Sequence, residues 1–147
     1  MKIIGLLTIA FLNLVSCSSN KVHQETQHYF EKITYQNWVG GVKGAGGGTI
    51  INIKLFKSIP ENTQLIKIQF QNREGNITKL NDLSYQASIK TFDNESETIP
   101  TPTIKTNLKP NQAKVFLKIN SKESTIIIED VKELPMLAYP SAKPINN

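Results

Sequence analysis

The residue types that could do chemistry in this chain are few, and their placement disfavours catalysis. Its two histidines are His23 and His28, and its single cysteine, Cys17, precedes both. Nucleophilic catalysis needs a hydroxyl or thiol beside a base that a third group orients. Residues 29–139 contain no histidine to serve as that base. His23 and His28 lack the further Cys or His ligands of a structural zinc site, so no metal or cofactor is expected. Asp93, Glu95 and Glu97 alternate, but a calcium loop starting at Asp93 would want glycine and glutamate where the chain has Thr98 and Ile104. An exposed acidic loop is the simpler reading. A glycosidase pair is defined by the distance between two carboxylates in space, which sequence order does not set. No catalytic residue is assigned, and the expected class is non-enzymatic.

Residues 35–48 (Tyr35-Gln36-Asn37-Trp38-Val39-Gly40-Gly41-Val42-Lys43-Gly44-Ala45-Gly46-Gly47-Gly48) stand apart from the rest. Six of the eight glycines fall in nine positions, directly after the only tryptophan. A phosphate-cradling loop would run from a strand into a helix, with Lys-Ser/Thr after the glycines. Here Lys43 precedes the later glycines and strand-like sequence lies on both sides, so nucleotide binding is not expected. The structural reading is a hairpin in which glycine supplies positive φ or relieves a bulge. Trp38 and Val42 share one parity and Tyr35 and Val39 the other, so a bulge near Gly40-Gly41 would switch faces. The functional reading makes Tyr35, Trp38 and Lys43, with the loop 40–48, a surface for a glycan or peptide. Tryptophan is equally a buried anchor, and the two readings stand side by side.

The elements that must position these residues read as strands. Apolar residues alternate with polar ones in residues 49–56 (Ile51, Ile53, Leu55), 64–71 (Ile66, Ile68, Phe70), 83–91 (Leu83, Tyr85, Ala87, Ile89) and 113–120 (Ala113, Val115, Leu117, Ile119). Residues 125–128 are continuous β-branched residues and read as a more fully buried strand. Turn signals fall at residues 59–62, 73–76, 93–95, 109–111 and 120–123. About seven short strands at this spacing predict an all-β, antiparallel immunoglobulin-like sandwich, with a small β-barrel as the alternative. Residues 98–110 hold three of the seven prolines and read as an edge strand or an extended crossover. Residues 24–33 could form a turn or two of helix.

The beginning of the chain supplies an address. Lys2 is followed by a thirteen-residue apolar run, 3–15, already interrupted by Gly5, Thr8 and Asn13. A spanning helix needs about 20 apolar residues, so the run reads as a cleaved export signal. Leu14-Val15-Ser16-Cys17 resembles a lipobox, which implies that Cys17 is acylated and becomes the first residue of the mature chain. Each buried methylene contributes about 0.8 kcal/mol, and one acyl chain alone binds marginally. The resemblance implies two or three chains on Cys17, an effectively permanent anchor. With that thiol acylated, no disulfide can form, and the core alone must hold the fold.

The organisation that follows is a signal at 1–16, a lipidated cysteine and polar tether at 17–28, one β-domain at 29–139 and a tail at 140–147. Without Lys2 the mature chain has sixteen Lys or Arg against twelve Asp or Glu, and Arg73 is the only arginine. Its lysines are dispersed, whereas nucleic-acid binders concentrate charge on one face and favour arginine, so no nucleic-acid partner is expected. Together, Leu14-Val15-Ser16-Cys17-Ser18-Ser19, residues 35–48 and the ending Ile126-Ile127-Ile128-Glu129-Asp130-Val131-Lys132-Glu133-Leu134-Pro135 resemble small, uncharacterised lipoproteins of the Bacteroidetes, flavobacterial in type. That resemblance implies a cell-envelope location at the outer membrane and carries no specific activity with it. Two functions remain open: a protein-interaction or accessory module with an envelope partner, or a glycan- or peptide-binding module.

Overall fold

The computed structural model describes residues 28–42, 46–92 and 102–139. Cys17, residues 1–27, Lys43, the acidic alternation at 93–97 and the tail at 140–147 lie outside the described residues. The strands are β1 (Phe30–Val39), β2 (Gly47–Leu55), β3 (Thr63–Phe70), β4 (Arg73–Asn81), β5 (Ser84–Phe92), β6 (Ala113–Ile119), β7 (Lys122–Ile128) and β8 (Lys132–Ala138). They form one curled, open sheet in the order β7-β6-β3-β4-β5-β2-β1-β8. The all-β expectation holds, with eight strands rather than seven. Neighbours are antiparallel except β1 and β8, which run parallel.

Two tight hairpins organise the middle of the sheet. Gln71 and Asn72 (φ 46° and 60°) join β3 to β4, and Asn120 and Ser121 (φ 48° and 66°) join β6 to β7. Paired left-handed residues suit the right-handed twist of two-residue hairpins. The first turn lies just before the predicted 73–76, because Arg73 to Asn76 already belong to β4. That strand shows little amphipathic pattern: its inward positions are Gly75 and Ile77. A Cβ on Gly75 would lie 2.9 Å from the Ser88 carbonyl oxygen and 3.0 Å from Ile89 Cγ1, so a neighbour fills the space that a side chain would take.

The curl follows from how β4 pairs. Arg73 to Asn76 bond to β3, whereas Ile77 to Asn81 bond to β5. One strand therefore serves both halves of the sheet and turns them toward each other. Tyr35 on β1 and Phe70 on β3 are separated by three strands in the sheet, yet their ring centroids lie 4.8 Å apart. The concave face carries the core: Ile33, Ile51, Ile53, Tyr85, Ala87, Ile89, Leu65, Ile68, Phe70, Val115, Leu117 and Ile126. This is the alternation seen in the sequence, except that a bulge between Leu65 and Lys67 puts Leu65 in the core in place of Ile66, and Leu83, at the β4–β5 turn, is exposed.

Two local expectations change, and between the two readings of the proline-rich segment the crossover is the one found. Residues 125–128 belong to an edge strand: Ile126 is buried, but Ile127 is 42% exposed. Residues 30–33 open β1 instead of a helix, while 24–27 lie outside the described residues. Residues 102–110 contain no strand and form the crossover. The Ile104 N–H donates to the Asn72 carbonyl at 2.7 Å and the Thr106 hydroxyl to Asn72 Oδ1 at 2.8 Å, seating the crossover on the β3–β4 turn.

Candidate functional site

Strand β1 carries both aromatic residues singled out by the sequence, and it separates them. Tyr35 and Trp38 are three residues apart in a strand whose register with β2 is continuous, so they point to opposite faces. Tyr35 faces inward against Phe70. Burial, and then the hydrogen bond between its hydroxyl and Glu133, hold its phenol above the ordinary range, with Gln71 acting in the other direction. Glu133 is its neighbour across the parallel β1–β8 pair. Tyr35 is therefore a packing residue, and it does not join Trp38 in one surface.

Trp38 stands on the convex face, outside the core. Its partner on β2 is Gly48. A Cβ there would lie 2.4 Å from the Ile89 carbonyl oxygen and 2.8 Å from the indole Nε1. The missing side chain is thus the seat on which the indole lies. On the other flank, Tyr139 meets Trp38 edge to face, with centroids 6.1 Å apart and planes at 78°. The Tyr139 N–H donates to the Val39 carbonyl at 3.1 Å, which carries the β1–β8 ladder one step past the strand. Leu137 opposes Trp38 directly. Tyr139 is 49% exposed and Leu137 37%. Trp38, Leu137 and Tyr139 make a half-exposed apolar corner at one end of the convex face.

Side-chain amides and hydroxyls continue that face. Gln36 precedes Trp38 on the same side and donates from Nε2 to the Pro135 carbonyl at 2.6 Å. Toward β2 and β5 follow Asn52, Gln86 and Ser88, with Gln86 Nε2 donating to Asn52 Oδ1 at 2.9 Å. Lys90 opposes Gly48 and ends the row that starts at Leu137. The glycine segment closes beside the corner: the Gly40 N–H donates to the Gly46 carbonyl at 2.9 Å, and Gly46 has φ 67°. Residues 35–39 pair antiparallel with β2, as the expected hairpin requires, while 43–45 lie outside the described residues. Tyr139 was not visible from the sequence as a site residue, because its contact with Trp38 depends on a parallel pairing between the first and last strands.

Carboxylates gather elsewhere, in a groove of ≈ 500 Å³ at the seam between the start of β1 and the end of β7, which includes Glu31, Glu129 and Asp130. Each already has a partner. Lys54 Nζ lies 3.0 Å from Glu31, Gln112 Nε2 donates to Glu129 at 2.6 Å, and Lys132 Nζ lies 3.8 Å from Asp130. Among the described residues, no group of three or more His, Cys, Asp or Glu side chains could hold a metal ion. On the β3–β6 half, Lys67 bonds Glu74 at 3.1 Å and lies 5.0 Å from the centre of the Phe116 ring. Hydrogen bonds from Lys67 and Gln69 hold the Glu74 carboxyl below its ordinary range. No family model, curated protein or solved structure matches this chain.

Proposed function

We propose that this chain is a lipid-anchored, non-enzymatic module of the cell envelope that binds a glycan on its convex face. The observation that carries this reading is Trp38, seated over Gly48 outside the core and met edge-on by Tyr139. A sugar offers a C–H face and a ring of hydroxyls. An indole with an apolar face and a polar tip suits the first. Amides and hydroxyls at Gln36, Asn52, Gln86 and Ser88 suit the second. A peptide is less suited to this end of the sheet, because the adjoining edge, β8, is interrupted by Pro135, which has no N–H to offer an added strand. The lipobox-like sequence ending at Cys17 supports the anchor and the outer-membrane address. The Tyr35–Phe70 contact supports reading the two halves of the curled sheet as the layers of an immunoglobulin-like sandwich joined through β4.

The test is glycan-array binding by the lipidated chain and its Trp38→Ala variant. Loss of a central aromatic should lower affinity at least tenfold, about 1.4 kcal/mol. Glycan binding that survives W38A would sink the assignment. A second reading, a protein-interaction or accessory module, is favoured by the β7 edge. That strand stands at one end of the sheet order and contains no proline. Crosslinking from positions beside β7 in intact cells would then enrich one stable envelope protein, and repeated recovery of none would count against it.

A further inference from the structure

Apart from Ile127 on β7, the large apolar side chains exposed among the described residues sort to two ends. Met136, Leu137, Tyr139 and Val42 lie at the Trp38 end, where β1 finishes and β2 begins. Phe56 (68% exposed), Leu80 (57%) and Leu83 (40%) lie at the other. Backbone bonds tie the second group together. The Leu55 N–H donates to the Leu83 carbonyl and the Phe56 N–H to the Tyr29 carbonyl, each at 2.9 Å. Leu80 and Leu83 flank the β4–β5 turn, and Phe56 follows the last residue of β2. These are loop tips and strand ends, at the end of the sheet where β1 begins.

Charge around these tips is arranged as a border. Lys54 pairs with Glu31 at 3.0 Å, Lys79 pairs with Asp82 at 2.7 Å, and the Lys57 ammonium lies 4.5 Å from the centre of the Tyr29 ring. Long lysine stems can lie along apolar surface while their heads stay at headgroup level. A few protruding apolar residues bordered by lysines suit the interface of a bilayer, where apolar groups sit about 5–10 Å into the headgroup and acyl boundary.

We propose that Phe56, Leu80 and Leu83 form a rim that rests in the phospholipid surface and stands the domain upright on the membrane. The occupant is indicated by where the chain enters. His28 adjoins Tyr29, whose carbonyl holds Phe56, and it lies eleven residues on from Cys17. That length spans at most about 40 Å when fully extended, and because the chain enters at this end, the rim is the nearer of the two apolar ends to a lipid on Cys17. The inference rests on the anchoring reading given above and adds an orientation to it. Eight residues of β1 separate Phe30 from Trp38, about 26 Å at the rise of a strand. The rim therefore directs the Trp38 corner away from its own membrane.

Trp38 is the only tryptophan, which makes the test direct. The lipidated full chain is reconstituted into phosphatidylethanolamine–phosphatidylglycerol vesicles in which the lipids carry bromine near the headgroup end of their acyl chains. Three forms are compared: the native chain, W38F/F56W and W38F/L83W. All three should float with the vesicles. Emission from F56W and L83W should fall about twofold, the response of an indole at interfacial depth, while emission from native Trp38 stays unchanged. Flotation without quenching at 56 or 83, or equal quenching at both ends, would overturn the rim and leave the anchor standing. A chain that fails to float overturns the anchor, and the rim with it.

Discussion

Gly48 is the position at which the seating of Trp38 can be broken with one methyl group. In Gly48→Ala, the new Cβ would stand 2.4 Å from the Ile89 carbonyl oxygen, about 1 Å inside the onset of ordinary van der Waals contact, and 2.8 Å from the indole Nε1. The first clash is with backbone of a paired strand, which cannot swing aside. The second is with a side chain that can. The β2–β5 ladder must therefore shift, or the indole must leave its seat, or both. Overpacking of this kind costs about 1–3 kcal/mol, and alanine recovers about 0.5–1 kcal/mol of that by being less free than glycine in the unfolded chain. A net loss of about 1–2 kcal/mol corresponds to a fall in Tm of roughly 4–16 °C for a domain of this size. Thermal unfolding followed by circular dichroism measures the loss, and the emission maximum of Trp38 reports whether the ring has moved into water. Gly75→Ala is the control. Its Cβ also meets backbone, at 2.9 Å, but lies against Ile89 rather than Trp38. It should lower Tm and leave the emission maximum in place. A G48A variant with unchanged Tm and unchanged emission would refute the account of the corner.

Two further outcomes test the core and its charges. Phe70 is 1% exposed and packs against Tyr35 across the curl, so Phe70→Ala should cost about 3–5 kcal/mol, measured by urea denaturation; a loss below 1 kcal/mol would mean that the two halves of the sheet do not share a core. Lys67 and Gln69 hold the Glu74 carboxyl below its unfolded value, so its contribution is complete above the unfolded carboxylate pKa and is lost as pH falls through the folded one. The difference in urea midpoint between the native chain and Glu74→Gln should therefore shrink as pH falls through and below the ordinary carboxylate range, and a difference independent of pH would exclude this role.

The parts of the fold legible in the sequence are those where one face is dry. Residues 49–56, 64–71, 83–91 and 113–120 became β2, β3, β5 and β6, the strands that supply most of the core, although a bulge buries Leu65 in place of Ile66 and Leu83 stays outside. The hairpin at Asn120-Ser121 announced itself through residues that tolerate positive φ. What escaped is what alternation cannot report. β4 presents Gly75 inward because Ile89 fills the space. β8 is an exposed edge strand with Pro135 inside it, so its pattern resembles a loop. Its parallel pairing with β1 joins positions about a hundred residues apart, a contact with no local signature. That pairing is also what carries Tyr139 to Trp38, so the corner was only half legible. The functional reading of the sequence puts Tyr35 and Trp38 in one surface, but the unbroken β1–β2 register from Lys32 to Val39 keeps these residues, three apart, on opposite faces.

The parallel pairing of β1 and β8 also sets how the domain bears load. Under the proposed function, a ligand held at Trp38 would pull on the far end of β1 and an anchor on Cys17 on its near end. Force then runs lengthwise along β1, which is bonded on one side to β2 and on the other to β8. Sliding β1 out requires both ladders to break across their length at once, in shear, rather than one bond at a time as in peeling. Forced unfolding is governed by the unfolding barrier rather than by equilibrium stability, and shear raises that barrier. Stretching along this axis should thus meet far more resistance than stretching across the β7 edge, where the strand can unzip. The strand that holds the indole is also the part of the molecule best placed to resist a tug between a surface and whatever it grips.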